Sequence, residues 1–323
     1  MTISVSSSDE LIRLDAFLSS RLIQFSRSKI QKLIVEGSIT VNDKLVKKNL
    51  KLSYGDIINI DKNKLDSQKA IPKLKKWDYP LEIIYEDSDF AIINKPVGII
   101  SHPAPNNHDK TIVNIILNIF EDKLINHPDP LRPGIVHRLD KDTSGIMIIP
   151  FNEYSHWKIA DQFKNRTISK EYIALTWGEW IEEEGIIKNK LSRSKKNSIK
   201  FKSSKDGRTA YSKFKLISNG KYFSSINFFP KTGRTHQIRV HCSEKGYPIV
   251  GDELYGGGWK KLNEYLPDVK KKINKNVDLQ DGHYLHSNRI SFLHPRSGKK
   301  VFFQADPNES FTNLFKMIKS AEV

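Results

Sequence analysis

Apolar residues recur along this chain first at helical spacing and then at strand spacing. Leu14, Phe17, Leu18 and Leu22 share one helical face, and Ser26 stands as an N-cap before Arg27-Ser28-Lys29-Ile30-Gln31-Lys32-Leu33-Ile34, with Gly37 as the stop. Ile39 and Val41 then alternate with polar neighbours, Asn42-Asp43 turns the chain toward Leu45-Val46, and Gly55-Asp56 precedes Ile57-Ile58-Asn59-Ile60. Residues 9–61 are thus predicted to form a small helix-helix-hairpin domain. Between 62 and 80 periodicity fades, charge rises and Pro72 and Pro80 appear, which reads as a linker. Residues 81–323 form a larger body. It opens with a hairpin of Ile83–Tyr85 and Phe90–Ile93, and continues with strand-like runs at Ile146–Ile149, Glu171–Thr176, Ala210–Ile217, Tyr222–Phe229 and Arg289–Leu293. Helical patterns fall near Thr111–Phe120, Ser155–Phe163 and Thr235–Glu244. The mixture predicts an α+β domain with a mainly antiparallel sheet. The Lys-rich tract from Trp259 to Asn276 reads as a surface insertion.

Length and charge sharpen this picture. With 323 residues the chain exceeds one ordinary core and agrees with two domains at roughly 150 residues each. Fifty-three Lys and Arg against 37 Asp and Glu leave a formal net charge of +16, which favours a polyanionic partner, nucleic acid first, through phosphate neutralisation. Cys242 is the single cysteine, so an intrachain disulfide is excluded and a reducing compartment is expected. No run approaches the roughly 18 apolar residues that span a bilayer, and Met1–Glu10 is polar, so the expectation is a cytoplasmic protein with no membrane association. Nothing in the chain calls for a protein partner, and a monomer is the expectation.

Two polar segments carry candidate chemistry. In His137-Arg138-Leu139-Asp140-Lys141-Asp142-Thr143-Ser144-Gly145 the carboxylate of Asp140 sits between basic residues in turn-forming sequence, flanked by Ile135-Val136 and Ile146–Ile149, which both read as strands. Taken alone it is first a polar hairpin turn and second an active-site loop. The other segment, Lys231-Thr232-Gly233-Arg234-Thr235-His236-Gln237-Ile238-Arg239-Val240-His241, enters a helix that Thr235 is placed to cap. His236 and His241 lie five apart and face different ways in either a helix or a strand, and His283 and His286 lack a carboxylate or cysteine at a recognised spacing, so no metal site is expected. A Walker loop, a G-x-G-x-x-G turn and a zinc-deaminase signature are all missing, and no cofactor is expected.

Residues 81–308 resemble the catalytic domain of the RluA/RluD family of RNA pseudouridine synthases. The family signature H-R-L-D-x-x-T-S-G runs through His137–Gly145 without a gap. Further matches are Asn94-Lys95-Pro96-x-Gly98, Ser101-His102-Pro103, Lys170-Glu171-Tyr172, Gly207-Arg208, Thr232–His241, Pro248–Gly256 and Leu285-His286. Residues from Arg13 to Asp56 resemble an S4-like RNA-binding domain, with Arg27, Lys29 and Lys32 lying largely off the apolar face of its second helix. The resemblance implies a cofactor-free isomerisation of uridine in RNA, ribosomal RNA of the large subunit above all. It implies Asp140 as the catalytic carboxylate, Arg239 rather than Arg234 as its pairing cation, and Tyr172 as the ring stacked on uracil. It also implies Arg138 as the side chain that fills the space left by the extruded base, with Lys141 among the phosphate contacts. A noncatalytic RNA-binding or ribosome-assembly factor that keeps the fold, and a synthase acting on transfer RNA, stand as alternatives. Ala104–Asp109 and Pro150-Phe151-Asn152 depart from the usual family pattern and bear on loop shape and RNA choice.

Overall fold

A computed structural model describes residues 1–22, 25, 27–61, 64, 74–104, 107–124, 132–264, 267–268, 270–271 and 282–320. The chain divides into two compact units, the first built from residues 1–75 and 126–133 and the second from the remainder.

The first unit packs two helices, α1 (Leu14–Arg21) and α2 (Arg27–Val35), on a four-stranded sheet of β1 (Thr2–Ser4), β2 (Ile39–Val41), β3 (Lys44–Leu45) and β4 (Ile57–Ile60) in the order β1-β4-β2-β3. Leu14, Phe17, Leu18, Ile30, Leu33 and Ile34 close its core against Ile39, Val41, Ile58 and Ile60, matching the apolar stripes of the sequence. Gly37, at φ +73°, ends α2 with Ser38 N–H donating back to Leu33 O at 2.9 Å. Asn42 and Asp43 both take positive φ, as a two-residue hairpin turn demands. Ser26 lies outside the described residues. Strand β1 adds an edge ahead of the predicted start at residue 9, since Thr2–Ser4 pair with β4.

The second unit is a ten-stranded sheet, made of β5 (Glu82–Glu86), β6 (Phe90–Lys95), β7 (Ser144–Pro150), β8 (Ser169–Trp177), β9 (Glu184–Arg193), β10 (Phe201–Ser203), β11 (Arg208–Asn219), β12 (Phe223–Pro230), β13 (Leu285–Leu293) and β14 (Lys300–Gln304). The order is β10-β9-β11-β12-β8-β13-β7-β6-β5, with β14 paired to β13 off this path. Every pairing is antiparallel except β7 with β13. That one parallel pairing joins two antiparallel stretches.

Strands β6 and β7 are buried on both faces, which explains why Ile146–Ile149 reads as an unbroken apolar run. Ala91, Ile93, Met147 and Ile149 face α3 (Ile112–Ile119), while Phe90, Ile92, Ile146 and Ile148 face Ile159 of α5 (Glu153–Asn165). A four-residue helix, α4 (Glu121–Leu124), follows α3. Thr111 and Asn114 form a reciprocal capping box at α3, and Asn152 caps α5. On the other half, α6 (Gln237–Glu244) and α7 (Glu309–Lys319) pack Ile238, Cys242, Phe311, Leu314 and Ile318 on β8, β11 and β12.

Three local expectations change. Ile135-Val136 form no strand, so the Asp140 segment is not a hairpin: it is a loop that runs directly into β7. Thr235 does not cap α6; His236 occupies that position in the left-handed region at φ +57°, without a side-chain cap. The Lys-rich tract is not wholly a surface insertion, because Trp259–Glu264 form a 3₁₀ helix whose Leu262 is buried in the core with Trp259 packed beside it. Among the described residues no helix is long and apolar enough to cross a membrane.

Candidate active site

The loop carrying Asp140 is anchored by the segment Asn94–Ser101. Lys95, fully buried, sends its ammonium to the carbonyl oxygens of Pro96, Ile99 and Lys141 at 2.7, 2.7 and 2.9 Å. Burial pulls its pKa down to about 7, against the opposing pull of Asp142 and Asp140. Gly98 N–H also reaches the Lys141 carbonyl, and Ser101 Oγ bonds both the carbonyl and the amide of Leu139. On the far side Thr143 Oγ1 meets His283 Nε2 at 2.8 Å, and Ser144 Oγ meets His286 Nδ1 at 2.9 Å. His286 donates from Nε2 to Ala305 O, so its Nδ1 accepts from Ser144. His137 accepts from Ile148 N–H and stacks on Phe163. Burial lowers His137 to about 3 and His286 to about 4, so both rings are neutral at pH 7.

Gly145, Ser287 and Tyr172 stand in one row across β7, β13 and β8. A Cβ on Gly145 would lie 2.3 Å from Ser287 O, so only glycine lets β7 approach β13 here. This close join sets the Asp140 loop beside the Tyr172 side chain. Tyr172 is desolvated, which raises its pKa to about 12 against a hydrogen bond to Ser287, and its hydroxyl stays protonated at pH 7.

Arg239 enters from α6. Its Nε and Nη2 fork onto Asp252 at 2.7 and 2.8 Å, and Nη1 points to Asp140 Oδ2 at 3.2 Å. Burial disfavours the guanidinium charge, but the bonds to Asp252 and Asp140 outweigh it and lift the pKa above the usual arginine value. Tyr255 lies over the guanidinium, 5.0 Å from its ring centre. No hydrogen bond reaches Asp140 Oδ1 among the described residues, and Asp140 lines a cleft together with Arg138, Lys170, Tyr172, Thr232, His236 and Arg239. Arg234 instead donates from Nε to Thr209 O.

A second groove adjoins this cleft and shares Arg138, Lys170, Tyr172 and Arg234 with it. Lys164, Arg166 and Lys231 complete its basic lining, and among the described residues no carboxylate lines it. Burial and Arg166 lower Lys170 to about 8, and burial, Arg166 and Arg208 lower Arg234. Cations crowded in this way repel one another and favour an anion between them.

The sequence-predicted residues Asp140, Arg239, Tyr172 and Arg138 therefore meet at one cleft, although Asp140 and Arg239 lie 99 positions apart. Lys141 is exposed and borders a neighbouring pocket that also contains Asp140. In the first unit Lys32 is exposed and pairs with Glu36 at 3.5 Å, while the side chains of Arg27 and Lys29 lie outside the described residues. Sequence reasoning assigned no role to Asp252, His236, Tyr255, Lys95 or Ser101. A usable signal existed for Asp252: a guanidinium has five donors, and a buried one beside a single carboxylate leaves most of them unmatched. The histidines weighed as metal ligands are separately engaged, with His236 on Tyr255, His241 on Asn189, and His283 and His286 on the Asp140 loop. Asp87, Asp89 and His294 also cluster, but Arg296 forks onto Asp89 at 2.8 and 2.6 Å and supplies the positive charge there.

A carboxylate loop at the parallel join of the sheet, met by an arginine from a separate helix, is an arrangement suited to a carboxylate that acts as nucleophile or base. The chain belongs to the RNA pseudouridine synthase family: the family model for RNA pseudouridylate synthase matches residues 89–244, and that for the S4 domain matches residues 12–58. It is 40% identical over 275 residues to ribosomal large subunit pseudouridine synthase D of Borreliella burgdorferi, covering 82% of this chain and 83% of the relative. It is 32% identical over 317 residues to the uncharacterized RNA pseudouridine synthase YlyB of Bacillus subtilis, covering 98% and 97%. The fold is that of human RNA pseudouridylate synthase domain containing 4, with a TM-score of 0.55 at 21% identity over 74% of this chain and 93% of the human one.

Proposed function

We propose that this enzyme converts uridine to pseudouridine in large-subunit ribosomal RNA, with Asp140 as the reacting carboxylate. The observation that carries the role of Asp140 is its asymmetric surroundings. Arg239 holds Oδ2, Oδ1 accepts no hydrogen bond among the described residues, and Asp140 shares its cleft with Tyr172. In the reaction the bond from ribose C1′ to uracil N1 breaks, the ring turns, C1′ bonds to C5, the C5 proton leaves and N1 takes a proton. Atoms balance without a cofactor. Oδ1 acts at the ribose, either by bonding to C1′ or by taking the neighbouring C2′ proton. Tyr172 stacks on the uracil, and its hydroxyl reaches the polar edge of the ring. Arg138 is exposed at the mouth of the cleft and fills the stack vacated by the extruded base.

The basic groove takes phosphates flanking the target, and Lys141, which borders the neighbouring pocket, adds a further phosphate contact. Residues 9–61 serve as the RNA-binding module, with Arg27, Lys29 and Lys32 of its second helix as the candidate RNA contacts. A ribosomal target is supported by the S4 domain match, by the net charge of +16, and by relatives from Borreliella burgdorferi and Zymomonas mobilis that are named large-subunit synthases. A ribosomal target supports our reading of the protein as cytoplasmic. Pseudouridine mapping of total RNA from cells with and without this gene tests the reading. Sites lost from large-subunit RNA are the expected result, whereas loss from transfer RNA alone, or an unchanged map, contradicts it.

A further inference from the structure

His236 has no part in the chemistry described so far, yet it faces the reacting carboxylate. Its Nε2 lies 3.8 Å from Asp140 Oδ2, the same oxygen that Arg239 approaches, and its Nδ1 lies 2.9 Å from the Tyr255 hydroxyl. Two further restraints fix the ring. The backbone places it at φ +57° ahead of α6, and Phe201 packs edge-on to it at 5.6 Å. Tyr255 is itself held: it accepts Phe201 N–H at 2.9 Å and lies over the Arg239 guanidinium.

We propose that His236 is a positioning residue for Asp140, locked by Tyr255 as the tautomer that carries its proton on Nε2. A neutral imidazole has a single N–H, and the carboxylate beside Nε2 favours the proton there. Nδ1 then accepts from the Tyr255 hydroxyl. The ring is kept neutral by burial, which outweighs the pull of Asp140. His236 and Arg239 together restrain Oδ2 from two sides, so that Oδ1 is the oxygen presented to the ribose. The approach is longer than a hydrogen bond in the free protein and closes when RNA fills the cleft and excludes water. Tyr255 thereby links the two restraints, through its ring to Arg239 and through its hydroxyl to His236.

This inference rests on Asp140 being the reacting group, and the test separates the two claims. Single-turnover rates at saturating RNA and RNA dissociation constants are measured for the full-length protein and its variants His236→Asn, His236→Gln and Tyr255→Phe. Asn tolerates the left-handed backbone but is too short to reach Asp140, whereas Gln extends an N–H donor toward the position of Nε2. His236→Asn is expected to slow the rate about tenfold, the effect of one donor to a charged acceptor, with RNA affinity unchanged. His236→Gln restores most of that loss. Tyr255→Phe keeps the ring over Arg239 but frees the tautomer, and slows the rate about threefold to tenfold at unchanged affinity. Wild-type rates in His236→Asn, affinity falling in step with rate, or a Gln variant no faster than the Asn variant would overturn the role of His236. Wild-type rates in Tyr255→Phe overturn the tautomer lock. An active Asp140→Asn variant sinks the parent reading instead.

Discussion

At Arg239 one guanidinium divides its donors between Asp252, which is fully buried, and Asp140, which is partly open to the cleft. The division determines what each substitution does. Asp252→Ala leaves a buried guanidinium half-paired, and urea unfolding is expected to show a loss of about 3 kcal/mol, the scale of a broken buried pair. Arg239→Lys puts a single ammonium where a planar fork spans two carboxylates, so turnover is expected to fall more than about tenfold with the charge unchanged. Tyr172→Phe keeps the stacking face and removes the hydroxyl. If that hydroxyl takes part in proton transfer, isomerisation slows by about 10² or more while RNA affinity holds, as single-turnover and binding measurements would read. Asp140, Tyr172, Arg239 and Arg138 were legible in the sequence because each lies inside a contiguous family motif. His236 and Asp252 also lie in family motifs, but their roles depend on approaches between distant segments that no spacing rule encodes.

At the scale of elements, the join between β7 and β13 positions the site. Gly145 permits it, and Gly145→Ala is expected to cost at least about 2 kcal/mol in thermal or urea unfolding, since the added carbon meets backbone at 2.3 Å and the residue sits at φ +110°. The loop beside the join leans on neutral histidines, which makes the fold acid-sensitive. His137 and His286 have folded pKa values of about 3 and about 4, below the usual value near 6.5. The unfolded chain therefore binds more protons between pH 6.5 and these values. Stability is fully present above pH 6.5 and falls as pH drops, each histidine adding up to about 1.4 kcal/mol per pH unit. Urea midpoints at pH 7 and pH 5 should converge in His286→Gln relative to wild type; an unchanged gap would mean that His286 does not carry the acid sensitivity. Periodicity revealed β6, β7, β8, β11 and β12, whose buried positions are continuous or alternate cleanly. It missed β9, whose Glu184–Arg193 sequence alternates charged residues and the exposed Ile186 with partly buried ones next to the short edge strand β10, and it read Ile135-Val136 as a strand because two apolar residues also serve to seat a loop.

Across the whole molecule, part of the positive charge is gathered in one groove. Lys164, Arg166, Lys170, Lys231 and Arg234 line a groove that opens beside Asp140. Reversing Arg166 and Lys231 to Glu is expected to weaken RNA binding at low salt and flatten its salt dependence, with the slope of log K against log salt falling by about 0.7–0.9 for each phosphate no longer neutralised. Composition alone announced a polyanionic partner, but not the groove, because its cations come from β8, α5 and the loops around them. Asp140 in this cleft is proposed to isomerise uridine, and the sharpest check is release of tritium from RNA carrying [5-³H]uridine. Wild-type protein is predicted to release tritium from large-subunit ribosomal RNA, and Asp140→Asn to release none while binding the same RNA within a few-fold of wild type. Tritium release by Asp140→Asn at the wild-type rate would contradict it.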